Sequence, residues 1–217
     1  MSTRPVLYHC NDARSFRALW ALEELGMAYD LKLLPFPPRV LSPEYLKENP
    51  LGTIPLLVDG DVRMTESAAI VQYLATRSGP SVLSVEPGEA AYGAWLNGLH
   101  FGEATLTFPQ TLVLRYTRLE PKERRNPQVA EDYSKWFVAR LRGLDARLAE
   151  GGGFYCGGRF TGADISVAYA LLLAESLNLS ERFSPTIADY WARMQMRDGF
   201  KAAKTAQASD TSPTWKA

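Results

Sequence analysis

The hydrophobic pattern of this chain changes character once, across the turn-rich stretch SGPSVLSVEPGEA at residues 78–90. Before it, segments that alternate apolar and polar residues are interleaved with segments of helical spacing. After it, no convincing strand pattern is found. Strand and helix patterns cannot exchange places without exposing their apolar faces, so the chain is expected to fold as two domains of different class. The expected division is a mixed α/β domain over residues 1–83 and an all-helical domain over 87–217. A chain of 217 residues is long enough for two small cores.

In the first part, PVLYH is a short strand, and Phe16, Leu19, Trp20 and Leu22 give a helix from Ser15 to Leu25 that Gly26 terminates. AYDLKLL alternates as a second strand, so the βαβ order predicts a parallel pair with a right-handed crossover. SPEYLKEN reads as a brief helix with Ser42 as its cap and Pro43 in its first position. LLV and VRM flank Asp59-Gly60 as a hairpin, and a helix from Glu66 to Arg77 turns Ala69, Ile70, Tyr73 and Leu74 inward. This order resembles a thioredoxin-like module.

In the second part, a helical run from about Pro87 to Tyr116 is expected to break or kink near Pro109. Val129, Tyr133, Trp136, Phe137, Leu141, Leu144 and Leu148 share one face of a further helix, which Gly151–Gly153 ends. FTGADISVAYALLLA and SPTIADYWARMQM predict two more helices, and the tail ASDTSPTWKA is expected to be irregular.

Lys+Arg and Asp+Glu both number 24, so the chain carries no basic field for nucleic acid. The run Lys122–Arg125 is short and interrupted by Glu123. No apolar stretch suits a signal peptide or a membrane span, which predicts a cytoplasmic protein with no membrane partner. Two cysteines, Cys10 and Cys156, and two histidines, His9 and His100, give no metal-site spacing, so no metal is expected.

Three short motifs carry chemistry. Ile54-Pro55 lies directly before a strand, where a cis bond would turn the amide and carbonyl of Ile54 outward to pair with an extended peptide. A trans proline starting an edge strand is the alternative. Glu66 and Ser67 close a strand and open a helix, where free amides favour an anion. Ser67 could take a carboxylate and Glu66 an ammonium, which together suit an α-amino-acid head; a simple cap by Thr65 would also explain the pattern. In FTGADI, Thr161 and Asp164 form a capping box and Phe160 and Ile165 a hydrophobic staple, a folding role with no catalytic part.

With NPLGTIPLL, TESAAIVQYL and FTGADISVAYALL in this order, nearly the whole chain resembles the cytosolic glutathione transferases. The resemblance implies a thioredoxin-like domain that binds glutathione as co-substrate, a helical domain that supplies the second-substrate pocket, and a homodimer. It implies that Ile54 pairs with the cysteinyl unit, that Pro55 is a cis-proline, and that Glu66 and Ser67 hold the γ-glutamyl end.

The family activates the glutathione thiol by donating a hydrogen bond to its thiolate. Where serine does this, it stands four residues before a helix arginine. Arg17 matches that arginine and puts Ala13 in the serine's place, while the cysteine of the beta-type enzymes would fall near Arg14. The remaining candidates are Asn11, which can donate through its amide; Cys10, which could form a mixed disulfide; Arg14, with the amides of Ala13 to Ser15, for positive potential; and Ser15, if the alignment slips. Tyr8 reads as a packing residue.

In HFGEATLTFPQTLVLRY, the residues His100, Phe101, Glu103, Thr107, Phe108 and Tyr116 could line a mixed aromatic and polar pocket, or equally a dimer interface and core. The expected activity is addition of glutathione thiolate to a small aromatic or carbonyl-bearing electrophile. The alternatives are a Cys10-dependent thiol transferase or lyase, and a non-catalytic protein that binds glutathione or another ligand.

Overall fold

The computed structural model describes residues 4–208, which form two compact units. The first is built from residues up to Ser81 together with those from Met196 onward, and the second from Val82–Gln195. The boundary thus falls at 82, and the last helix joins the first unit instead of the helical one expected to hold it. The expected irregular tail lies outside the described residues beyond Ala208.

The first unit carries a four-stranded sheet in the order β2-β1-β3-β4. β1 (Val6–His9) runs parallel to β2 (Asp30–Leu33), as the βαβ order requires, and antiparallel to β3 (Leu56–Asp59), which pairs with β4 (Val62–Met64). Asp59 stays paired with Val62, so Gly60 and Asp61 make the turn, and Gly60 supplies its positive φ of 60°. That moves the hairpin turn one residue beyond the Asp59-Gly60 pair.

Helix α1 (Phe16–Glu24) is buried almost all round, with Phe16, Leu19, Trp20 and Leu22 fully enclosed. It packs on β1, on α3 (Ser67–Thr76) and on α9 (Asp198–Ala208). The short α2 (Pro38–Leu41) and a 3₁₀ turn (Pro43–Lys47) lie between β2 and β3 in sequence. Ser42 precedes that turn but makes no side-chain cap, contrary to its expected role. In α3, Ala68, Ile70, Val71, Leu74 and Ala75 are buried, while Ala69 and Tyr73 are only half-buried.

Helix α9 was not legible as a separate element. Its Phe200 ring meets Trp20 edge-on with centroids 5.0 Å apart and Phe16 at 5.3 Å. Arg197 closes the same face with two bonds of 2.7 Å to the Glu24 carboxylate. Gly199 is needed there, because a Cβ would lie 2.6 Å from the Glu24 side chain.

The second unit is helical. α4 (Tyr92–His100) begins five residues later than expected and continues into a π-wound stretch (Phe101–Thr107) before α5 (Phe108–Leu114). The irregularity near Pro109 is therefore a change of winding, and helical turns continue to Leu119. Proline cannot donate to the turn before it, and the wider winding accommodates that loss. Gly98 and Gly102 let this helix approach α7 (Gly162–Ser176): a Cβ at Gly102 would fall 2.4 Å from the Ser166 backbone.

α6 (Pro127–Glu150) buries Phe137, Leu141, Leu144 and Leu148 as expected, but Trp136 is 43% exposed. The Asn126 side chain caps it by accepting from the Val129 amide. α7 is capped by the predicted box, and Phe160 and Ile165 are both buried. α8 (Pro185–Gln195) completes the unit. Asp164 is enclosed completely and accepts from the amides of Tyr155 and Thr161 and from the hydroxyls of Tyr190 and Thr161. It is a structural hub, in keeping with a folding role.

Candidate active site

The chemistry-bearing residues of the first unit converge from three segments. The loop from Cys10 to Ser15 links β1 to α1, the Ile54-Pro55 pair precedes β3, and Glu66-Ser67 opens α3. Cys10, Tyr45, Ile54 and Leu56 form one apolar cluster, with Tyr8, Ala13, Leu34 and Phe36 packed against it. The loop and the Ile54 segment are therefore neighbours. The Ile54-Pro55 bond is cis, as the resemblance implied; so is Phe36-Pro37, which the sequence did not announce.

Ser67 is nearly buried, and its Oγ accepts from Arg17 Nη1 at 3.1 Å. Arg17 is fully enclosed within α1, so a guanidinium stands directly behind the first residue of α3. The Ser67 hydroxyl keeps its own proton for an incoming acceptor, and the cation adds to the positive end of the helix. Glu66 is exposed and makes no cap on α3, which leaves its carboxylate facing outward. Sequence reading used Arg17 only to set the alignment. Its contact with Ser67 was missed, although a charged residue among Phe16, Leu19 and Trp20 was the available signal.

In the loop, the candidates separate. Cys10 is fully buried, and burial pushes its thiol up to about 12, so it stays protonated near neutral pH. That is unfit for a nucleophilic or redox cysteine. Ser15 is also fully buried and its Oγ is 2.7 Å from His9 Nδ1. His9 Nε2 lies 3.0 Å from Gln207 Oε1, an acceptor, which puts the imidazole proton on Nε2 and makes Ser15 the donor to Nδ1. The Ser15 hydroxyl thus serves the interior.

Ala13 and Arg14 are half-buried, and the Ala13 amide is spent on the Cys10 carbonyl at 3.1 Å. This removes one of the amides expected to supply positive potential. Asn11 is half-buried, and its Oδ1 is enclosed with no donor among the described residues. Tyr8 packs on Tyr45 with centroids 5.4 Å apart, the packing role expected of it.

Two of the six residues expected at a second-substrate pocket share a hollow. Phe101 and Phe108 line an open hollow of about 420 Å³ in the helical unit with Ala104, Thr105, Pro109, Trp136 and Arg140. His100, Glu103, Thr107 and Tyr116 do not line that hollow. Thr107 is buried and donates to the Gly102 carbonyl, a bond the π-wound turns make available. Trp136 and Arg140 of α6 also line this hollow, whereas Trp136 was expected on the buried face of its helix. Arg140 stands 5.6 Å over the Trp136 ring.

Residues 13–77 match the model of the glutathione S-transferase N-terminal domain, and residues 128–193 match that of the C-terminal domain. Together they span more than half of the chain. The chain belongs to the glutathione transferases. It is 29% identical over 187 residues to Glutathione S-transferase 3 of Schizosaccharomyces pombe, covering 82% of this chain and 77% of the relative. A maleylacetoacetate isomerase of Rhizobium meliloti is 40% identical over 93 residues, covering 40% of this chain and 42% of that one.

Among solved structures, this transferase is similar to URE2P6 of Phanerochaete chrysosporium, a glutathione transferase in complex with oxidized glutathione. The TM-score is 0.81 at 27% identity, covering 94% and 96% of the two chains. Both expected fold halves, a thioredoxin-like sheet domain and a helical domain, stand as read, and glutathione is the co-substrate. Among the described residues no cluster of three or more His, Cys, Asp or Glu could hold a metal, and no helix is long and apolar enough to cross a membrane.

Proposed function

We propose that this transferase activates glutathione at the Asn11 loop and adds its thiolate to a small electrophile bearing an aromatic ring or a conjugated carbonyl. The reading rests on Ser67 backed by Arg17, in the same unit as the loop. Ser67 and the first amides of α3 take the γ-glutamyl carboxylate, and Glu66 takes the ammonium. The main chain of Ile54 pairs with the cysteinyl unit. That sequence of contacts directs the thiol toward Cys10–Ser15.

There the nearest useful donor is Asn11. Its Oδ1 is enclosed, and the NH₂ at the other end of the same amide can donate to a thiolate. Arg14 adds positive charge, and the beginning of α1 adds its dipole. Each favours the anion, which is the nucleophile. Adding a thiolate to an activated double bond or ring carbon forms the C–S bond, and a proton or leaving group completes the exchange.

For the electrophile, the hollow lined by Phe101, Phe108 and Trp136 supports a flat, apolar partner, and Arg140 supports a carbonyl or nitro oxygen on it. The matched isomerase is consistent with a conjugated carbonyl compound. The buried, protonated Cys10 speaks against the mixed-disulfide alternative. We further assign a cytoplasmic, detoxifying homodimer whose two-fold face includes residues 65–73 and the helix after residue 90; sedimentation at micromolar concentration would overturn this by finding only a 24.1 kDa species.

The deciding experiment is conjugation of glutathione to a chlorodinitrobenzene and to an α,β-unsaturated ketone, with wild type and Asn11→Ala compared. Loss of turnover with retained glutathione affinity is the expected result. Binding without turnover in the wild type against the whole panel would favour a non-catalytic glutathione carrier.

A further inference from the structure

The loop that carries Asn11 is not held by its own helix alone. Gln207, from the last turn of α9, is 4% exposed and spends both ends of its amide on that loop. Its Oε1 accepts from the Asp12 amide at 3.1 Å and from His9 Nε2 at 3.0 Å. Its Nε2 donates to Asp12 Oδ1 at 2.6 Å. Lys204, one turn earlier on α9, reaches the same Asp12 oxygen at 2.7 Å. Asp12 itself sits at a φ of 52°, a left-handed conformation that a non-glycine residue holds only when its surroundings fix it.

From His9 the restraint continues inward. Ser15 donates to His9 Nδ1, and the Cys10 amide donates to Ser15 Oγ at 3.3 Å. His9, Cys10, Asp12 and Ser15 are thus tied into one network that starts at Gln207. Asn11 lies between two of these fixed residues, with its amide oxygen enclosed.

We infer that Gln207 is a positioning residue for thiol activation: by gripping both the backbone and the side chain of Asp12, it fixes the direction in which Asn11 meets the glutathione sulfur. This rests on the assignment of Asn11 as the thiolate contact. A donor that must meet a sulfur within hydrogen-bond reach gains from a rigid backbone, because small misplacements at a reacting centre are costly in rate. The two hydrogen bonds to Asp12 supply that rigidity from an element almost two hundred residues away in sequence. Neither Gln207 nor Lys204 needs to touch the substrate to act in this way.

The test uses the full-length protein with Gln207→Met, which keeps the length of the side chain and removes its hydrogen bonds. Asp12→Gly serves as a second variant; it permits the positive φ, leaves α9 intact and removes the side-chain half of the clamp, the bonds from Gln207 and Lys204 to Asp12 Oδ1. Asn11→Ala is measured in parallel. The readouts are kcat, KM for glutathione, and the pH titration of bound glutathione thiolate by ultraviolet absorbance.

Gln207→Met and Asp12→Gly are expected to lower kcat by about 10-fold or more. The bound thiol should titrate roughly one unit higher, and KM for glutathione should stay within about twofold. If Asn11→Ala shifts the thiol titration and neither clamp variant does, the positioning role is overturned and the Asn11 assignment stands. If the clamp variants shift it and Asn11→Ala does not, the positioning role stands and acts on another donor in the loop. If none of the three shifts it, both fall. Loss of melting temperature with unchanged kcat and thiol titration in the folded variants would reduce Gln207 to a structural residue and overturn the inference.

Discussion

Arg17 Nη1 lies 3.1 Å from Ser67 Oγ, joining the second residue of α1 to the first residue of α3 across fifty positions of sequence. The guanidinium supports the serine from within the core, so the hydroxyl is oriented before any ligand arrives. Ser67→Ala is expected to weaken glutathione binding by about 1.5–3 kcal/mol, the range for a hydrogen bond to a charged group. Calorimetry on the folded variant checks it, and an unchanged affinity would remove the γ-glutamyl assignment.

Turnover should rank the loop substitutions. Asn11→Ala is expected to cost more in kcat than Ser15→Ala, and Cys10→Ala should leave conjugation largely intact. The buried Cys10 thiol, held at about 12, should also make the wild type insensitive to brief alkylation at neutral pH. Abolition of turnover by Ser15→Ala with glutathione binding retained would place the enzyme with the serine users. Abolition by Cys10→Ala would revive the mixed-disulfide route.

His9 predicts a pH dependence of stability. Burial holds its imidazole down at about 4, from 6.5 in an unfolded chain, against the opposing bond to Gln207. Below pH 6.5 the unfolded chain takes up a proton that the folded one refuses, so stability is lost as pH falls from 6.5 through 4. The full difference is about 3 kcal/mol. Asp164, raised to about 6, works in the opposite direction by favouring the fold as pH falls from 6 toward 3.8. Comparing wild type with His9→Gln by denaturant titration at several pH values isolates the histidine: between pH 6.5 and 4 the variant should lose less stability than wild type, by up to about 3 kcal/mol.

Asp164→Ala should be strongly destabilising and chemically silent. The change strands two buried amides and a buried tyrosine hydroxyl, each worth about 1–3 kcal/mol when left without an acceptor. Thermal or denaturant unfolding checks the first part. A kcat that falls while stability holds would show that the aspartate has a role in the reaction.

The thioredoxin-like half was legible because each element carries its own punctuation: Gly26 ends α1, Gly60 makes the hairpin turn, and Ser67 begins α3. The α7 cap was readable for the same reason, since Thr161 and Asp164 act within one turn. What stayed hidden was set by distant partners. Nothing near Asp12 announces Gln207, 195 positions away, and the proton on His9 that makes Ser15 a donor is fixed by the same Gln207. The direction of Trp136 was misread because the apolar stripe of α6 is wider than its buried face, and the surplus meets solvent beside Arg140. Helix α9 escaped notice because Phe200 and Ala203 are few apolar residues for a helix, and its burial depends on Trp20 at the other end of the chain.

Because α9 packs on α1, the first unit draws on both the first strand and the last helix of the described residues. Val82–Gln195 is contiguous in sequence, whereas the core around Phe16 and Trp20 closes only when Phe200, from the other end of the chain, reaches it. A chain cut before Asp198 would keep every residue of the helical unit and leave the Phe16 and Trp20 rings of α1 without their partner Phe200.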